Sequence, residues 1–303
     1  MAPIARAPYR LPTLEEIEAE EARRHLSAYL RWIWPLVEPA TSLVWGWHLD
    51  AICNHLEALS LGQIRNLLIT IPPRHTKSLL CSVAFPTWEW ATQPHTRFLF
   101  ASYADDLALE HAVLSRRVIE SRKYQEAFGQ GFTLVSDQNV KSYYENDKRG
   151  YRISTSVGGS GTGRGGDILV VDDPHNLKER HSEAKRNGVL DWLDHVWSTR
   201  LNDPNTGRNL VIMQRCHMED AAGHLLKRGD YTHLSLPTEY ERTTWMSPIG
   251  WRDPRKAEGE LLCSERFGSG AVGRAKRDLG GYDYAAQHQQ RPSPVGGGTF
   301  KRA

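Results

Sequence analysis

The sequence predicts an α/β fold: a mostly parallel central sheet with helices on both faces, preceded by N-terminal helices. Three observations carry this. Short β-rich apolar runs alternate with segments of helical periodicity, as in successive β-α units. One apolar run, residues 66–71, enters the polar loop Pro72-Pro73-Arg74-His75-Thr76-Lys77-Ser78 and then an apolar helical pattern. Another, residues 168–171, ends in Asp172-Asp173-Pro174. Ligands of open parallel sheets bind at the C-terminal edges of the strands, so both polar sets are expected at that edge.

In chain order, residues 1–12 are expected to be extended or without structure. Thr13-Leu14-Glu15-Glu16 has the capping-box spacing, in which each side chain satisfies the other residue's backbone N–H. A charged helix is predicted from there to about Trp34, stopped by Pro35. Leu49, Ile52, Cys53, Leu56 and Leu59 recur at helical spacing and mark the core face of the next helix. Trp45 and Trp47 suit either core packing or a place beside a base; with ten tryptophans in the chain, packing is the simpler reading. After the polar loop a helix runs from Ser78 towards Thr92, and Pro86 should kink or shorten it. Residues 97–102 read as a second buried strand. Asp105 can cap a helix carrying Leu107, His111, Leu114 and Val118.

Residues 130–157 hold three short β-rich segments with turn residues between them, which predicts a small antiparallel insertion. A glycine-rich loop at 158–166 leads into the acidic strand. A long helical pattern covers about 178–199, and Asp203-Pro204-Asn205-Thr206-Gly207 is a turn. Residues 209–214 are another buried strand ending in Gln214. A helix with acidic start Glu219-Asp220 and basic end Lys227-Arg228 suits the helix dipole. Residues 231–236 are a last strand, 238–262 are irregular, and two short helices follow near 269–279 and 282–290. The tail from Arg291 is a linker by composition.

The bulk properties exclude several classes. A length of 303 residues is ample for a buried core and allows one large α/β domain or two small ones. The net charge of +2 announces no polybasic nucleic-acid binder. Arg116, Arg117, Lys185 and Arg186, and the cluster Arg274, Lys276 and Arg277, read as solvated surface charge. Four cysteines, Cys53, Cys81, Cys216 and Cys263, are far apart and form no C-x-x-C, which fits a reducing cytoplasm better than zinc or disulfides. The apolar runs are too short to span a membrane, and the N-terminus has no signal-peptide core. A soluble intracellular protein with no membrane partner is expected.

The chemistry is in the two strand ends. In a phosphate-binding loop, backbone N–H groups and a helix N-terminus face the phosphates, a Lys reaches the terminal phosphates and a Ser or Thr hydroxyl binds Mg2+. Lys77 and Ser78 stand at those places. The usual pattern G-x-x-x-x-G-K-[ST] has glycines where this chain has Ile71 and Thr76, and glycine is what lets the backbone reach φ > 0. Alone, the stretch reads equally as a plain strand-turn-helix. The second strand end tips the balance: one carboxylate can hold Mg2+ and the next can orient the attacking water, as in NTPases. The loop at 158–166 contains G-x-G-x-x-G at Gly161, Gly163 and Gly166, but it precedes a strand rather than a helix, so the dinucleotide reading fails. A loop beside a phosphate site, with Arg164 reaching anionic oxygen, and a flexible connector both stay open. A metallohydrolase using Asp172, Asp173, His175 and His181 is the competing chemistry. Its two histidines are in poor helical register, and no H-E-x-x-H exists.

The order of motifs, IPPRHTKSLL, FLFASYADDLALEHA, STSVGGSGTGRGGDILVVDDPHN, VIMQRCHMEDAAGHLL and QHQQRPSPVGGGTFKR, resembles the large terminase subunit of tailed bacteriophages and prophages over about residues 40–303. The resemblance implies an additional-strand P-loop ATPase that drives double-stranded DNA through a portal protein into a procapsid. It implies a homo-oligomeric ring working with a small terminase subunit in the bacterial cytoplasm, with ATP and Mg2+ at the site. Pro73, Arg74, His75, Thr76, Lys77 and Ser78 would form the nucleotide loop, with Lys77 on the β- and γ-phosphates and Arg74 assisting at the γ-phosphate. Ser78 and Asp172 would bind Mg2+, Asp173 would be the catalytic carboxylate, Gln214 would sense the γ-phosphate and Arg164 would act as a cis arginine. The implied division is an N-terminal helical region at 1–61, the ATPase domain at 62–290 and a linker stub at 291–303. Thr76, where relatives commonly have Gly, puts nucleotide affinity in question, and the chain stops where a nuclease domain would begin. The expectation is therefore the ATPase half without nuclease activity, or, as the alternative, a truncated remnant that binds portal or DNA with little turnover.

Overall fold

The computed structural model describes residues 10–159 and 163–294. The expectations for residues 1–9, the middle of the glycine loop and the tail beyond residue 294 lie outside the described residues. Strands β1 (Asn66–Thr70), β2 (Phe98–Ser102), β3 (Leu134–Val140), β4 (Tyr143–Asn146), β5 (Tyr151–Ser156), β6 (Ile168–Asp172), β7 (Arg208–Met213) and β8 (Thr232–Ser235) form one sheet in the order β3-β4-β5-β2-β6-β7-β1-β8. From β5 to β8 every pairing is parallel. β7 stands between β1 and β6, so the polar loop and the acidic strand end are separated by one additional strand. The expected antiparallel unit is present: β3 pairs antiparallel with β4, and β4 with β5. It is not separate, because the other edge of β5 pairs parallel with β2, with Ile153 beside Leu99. The segment therefore extends the main sheet.

Side chains alternate across a strand, and the two faces of this sheet bury two cores. Leu67, Ile69, Phe98, Phe100, Ile168 and Val170 point to one; Leu68, Leu99, Leu169 and Val171 point to the other. The first core is covered by α1 (Leu14–Arg24), α2 (Leu26–Val37), α3 (Trp47–Ser60), α6 (Asp105–Glu120), α7 (Arg122–Phe128) and the helical stretch after the polar loop. That stretch is α4 (Lys77–Leu79), a π turn at Leu80–Ala84 and α5 (Phe85–Thr92). Pro86 sits in the first turn of α5, where a missing N–H is tolerated, and the wider π turn precedes it. The second core is covered by α8 (Glu183–Trp192), the π turn Leu193–Trp197 and α9 (Ala221–Arg228).

Several boundaries depart from the sequence reading. The Thr13 capping box is present, but the first helix breaks at His25, and α2 then runs through Pro35 to Val37. Burial of Tyr29, Leu30, Ile33 and Val37 outweighs the lost helix hydrogen bond. Trp47 stacks on Trp251 at 6.2 Å and Arg31 covers Trp45 at 3.4 Å, so both rings pack against protein. Arg186 is buried rather than solvated, and its Nη1 donates to the Arg180 carbonyl at 2.9 Å. α10 (Ser269–Gln287) is the expected pair of helices, interrupted at Gly280, whose φ of 71° ends the first. Among the described residues no helix is long and apolar enough to cross a membrane.

Candidate active site

The polar loop is bent by its own backbone. Arg74 and Thr76 both have φ of 65°, in the left-handed region that β-branched residues avoid. Asp173, at the other strand end, has φ of 46°. Only five non-glycine residues among those described adopt positive φ, and these three meet at one place. Backbone strain gathers where a site over-determines it. Thr76 stands at the position where the usual motif has glycine, and its conformation is the one glycine would supply freely.

Lys77 and Asp173 form an ion pair across the end of β7. Burial alone would push the Lys77 ammonium down, but Asp173 and Asp172 outweigh it and raise its pKa. Burial, aided by the neighbouring Asp172 charge, holds the Asp173 carboxyl above the usual carboxylate range, against the pull of Lys77. The Gln214 backbone N–H donates to Asp173 Oδ1 at 3.1 Å, and Asp173's own N–H donates to the Ile212 carbonyl at 2.9 Å. The Asp172 carboxylate is buried and accepts from two hydroxyls, Ser78 at 3.1 Å and Ser82 at 2.9 Å. His111 Nδ1 lies 3.8 Å from Asp172 Oδ2. Arg152, fully buried, donates to the Ser82 carbonyl at 2.5 Å and to Ser115 at 2.7 Å. It thereby braces the π turn that aims Ser82 at Asp172.

Lys77, Ser78, His111, Asp172 and Asp173 line a cavity of about 720 Å³, and Ser82 and Arg152 stand behind it. Pro73, Arg74, Thr76, Lys77, Ser78, Asp172 and Asp173 all face it, as the motif reading expects. Three expected residues stand elsewhere. The His75 ring is turned inward and is only 3% exposed. It donates to the Pro73 carbonyl at 2.9 Å and lies 4.5 Å from the Phe267 ring, so it fastens the loop from behind. Gln214 contributes its backbone N–H to Asp173, while its side-chain carbonyl is buried without a partner. The Arg164 guanidinium lies over the Tyr143 ring at 4.2 Å and is not among the residues lining the cavity.

The sequence reading misses Ser82, His111, Arg152 and Arg266. Ser82 lies four residues after Ser78, one helical turn along the same face, so it was the most accessible from pattern. On α6 the buried face is Ala108, Ala112, Ser115 and Val118, while Leu107, His111 and Leu114 turn to the cavity. Asp105 does not cap this helix: it is the first helical residue, and Ala104 stands at the N-cap without a side-chain bond. The metallohydrolase cluster is absent among the described residues: His175 Nε2 accepts from the Ala221 N–H at 2.8 Å, and His181 packs on Tyr282.

No family model matches the chain, and no curated protein does. Solved structures do. The large terminase ATPase domain of Thermus phage P74-26, as a point mutant, aligns over 86% of this chain and 98% of its own, with TM-score 0.51 and 10% identity. This chain has the fold of a large terminase ATPase domain. The large terminase of bacteriophage HK97 aligns over 73% of this chain and 45% of its own, with TM-score 0.48 and 10% identity. That of a thermophilic bacteriophage solved with ADP aligns over 77% and 52%, with TM-score 0.44 and 10% identity. The chain thus spans about half the length of these longer terminases.

Proposed function

We propose that this chain is a Mg2+-dependent ATPase and the motor portion of a terminase-like machine that moves double-stranded DNA into a procapsid. One observation carries the catalytic half of this reading. Lys77 and Ser78, from one strand-loop-helix, meet Asp172 and Asp173, from another strand end, at one edge of a parallel sheet. The motor half, with its portal protein, small terminase subunit and ring of copies, rests on likeness of fold to terminase ATPase domains.

The residues fit Mg2+. The Ser78 hydroxyl and the Asp172 carboxylate are hard oxygen donors 3.1 Å apart, and they would hold the ion. When bound, Mg2+ supplies charge neutralisation for the phosphates. The protein's own part begins with the Lys77–Asp173 pair. Incoming phosphates compete with Asp173 for the Lys77 ammonium. Lys77 then neutralises charge that develops on the terminal phosphates, and Asp173 is released to orient the attacking water and accept its proton. The Gln214 N–H bond keeps Asp173 in place through this exchange. Ser82, braced by Arg152, fixes the Asp172 carboxylate.

The test is steady-state ATP hydrolysis by the purified chain with Mg2+, beside Lys77→Ala and Asp173→Asn. Loss of turnover in both, with unchanged melting curves, supports the assignment. Wild-type turnover retained in both variants rejects it.

A further inference from the structure

The cavity carries a cation that no motif announces. Arg266 lies 190 positions beyond Thr76 in the chain, yet its Nη1 donates to the Thr76 hydroxyl at 3.4 Å and it lines the same cavity as Lys77 and Ser78. Its segment is fastened there. Phe267 N–H bonds the Cys263 carbonyl at 2.8 Å, Leu262 N–H bonds the Thr238 carbonyl at 2.8 Å, and the Phe267 ring lies on His75 of the loop. The loop and the Arg266 segment therefore share one cluster of rings, with His75 edge-on to His48 and tilted against Phe267.

The charges around the cavity sort into two kinds. Lys77 is already paired with Asp173. Arg74 and Arg266 line the cavity and, among the described residues, neither forms an ion pair with an acid. Two guanidinium groups without an acid partner line the cavity of a phosphate-type loop and suit an anion, and a guanidinium matches phosphate oxygens in a two-pronged fashion. Both Arg164 and Arg266 lie over a ring, Tyr143 at 4.2 Å and Phe267 at 5.3 Å, but of the two only Arg266 lines the cavity.

We propose that Arg266 is the cis-acting arginine of this site: on nucleotide binding it leaves the Thr76 hydroxyl and bonds the β- or γ-phosphate of the nucleoside triphosphate. The assignment rests on the ATPase reading above and names a residue for it. It also gives Thr76 a use that glycine lacks, as the parking place for the guanidinium in the resting state.

The experiment is a fluorescence titration of the full chain with the ribose-labelled analogues mant-ATP and mant-AMP, in Mg2+, for wild type, Arg266→Ala, Arg266→Lys and Lys77→Ala. Arg266→Ala is expected to weaken mant-ATP binding about tenfold, the range of a charge-assisted bond, and mant-AMP binding less than twofold. Arg266→Lys restores part of the loss. The melting temperature stays put, because the residue is exposed. Equal mant-ATP binding by wild type and Arg266→Ala, with Lys77→Ala impaired, overturns the role of Arg266 and leaves the ATPase reading standing. An equal loss for mant-AMP and mant-ATP also overturns it, since a phosphate contact must discriminate the two. No binding of mant-ATP by wild type removes both readings together.

Discussion

Replacing Thr76 with glycine separates a working loop from a degraded one. Thr76 has φ of 65° and ψ of 8° in the unliganded fold. A left-handed conformation costs a non-glycine residue about 1–2 kcal/mol. Thr76→Gly removes that strain, adds about 0.5–1 kcal/mol of unfolded-chain entropy to be lost on folding, and forfeits the long bond from Arg266, about 0.5 kcal/mol at a half-exposed place. The sum lies between a loss of about 0.5 and a gain of about 1 kcal/mol, so the melting temperature should move by less than about 3 °C. Nucleotide affinity is a separate question. Only a difference between the free and bound states changes affinity, and the loop is already bent before any nucleotide arrives. Thr76→Gly should therefore alter ATP affinity by less than about threefold, or about 0.7 kcal/mol. Differential scanning fluorimetry and a mant-ATP titration measure the two quantities. A tenfold or greater gain in affinity would refute the reasoning: Thr76 would then be holding the loop away from its binding shape, and the low-turnover remnant would be the better description.

Other expectations follow from the same geometry. Ser82→Ala deletes one of the two hydroxyls on Asp172; it should raise the Mg2+ concentration for half-maximal turnover about tenfold while leaving turnover at saturating Mg2+ nearly intact, and an unchanged Mg2+ dependence would exclude the contact. His75→Ala removes the ring behind the loop together with its bond to the Pro73 carbonyl. It should cost about 2–4 kcal/mol of stability and weaken ATP binding, although the ring never faces the cavity; a melting temperature within a degree of wild type would contradict this packing. Burial lowers the pKa of His48 from 6.5 to about 3 and those of His75, His175 and His233 to about 4. In that window the unfolded chain takes up protons that the folded chain refuses. Their contribution to stability is thus complete above about pH 6.5 and is lost as the pH falls towards 4, at up to about 1.4 kcal/mol per pH unit for each. The melting temperature should fall as the pH drops from 7 to 5; a flat profile over that range would show that these rings are solvated.

The strand ends are legible in the sequence because a buried parallel strand is apolar on both faces. Residues 67–69 and 169–171 announce themselves, and the polar residues after them must then lie at the sheet edge. Lys77, Ser78, Asp172 and Asp173 come together for that reason. Less legible is anything set by packing across the chain. Arg266 reaches the loop through the fold of an irregular segment, and no local pattern marks it. His75 is polar and sits in the motif, yet the ring is claimed by Phe267 and the Pro73 carbonyl, so its motif position misleads. On α6 small residues, Ala108 and Ala112, take the buried face and leave the larger Leu107 and Leu114 to the cavity, which helical spacing alone does not decide. Pro35 fails to stop α2 because the aromatic and aliphatic face around it is buried. Propensity yields to tertiary packing in each case.

The central claim is that Lys77 and Asp173 turn over ATP at this sheet edge. The most direct measurement is phosphate release by the purified chain with Mg2+ and ATP, with and without double-stranded DNA, beside Lys77→Ala. Turnover that disappears in the variant and rises with DNA is the expected result. Turnover that is equal in the two proteins, or absent from a folded wild type, would contradict the account.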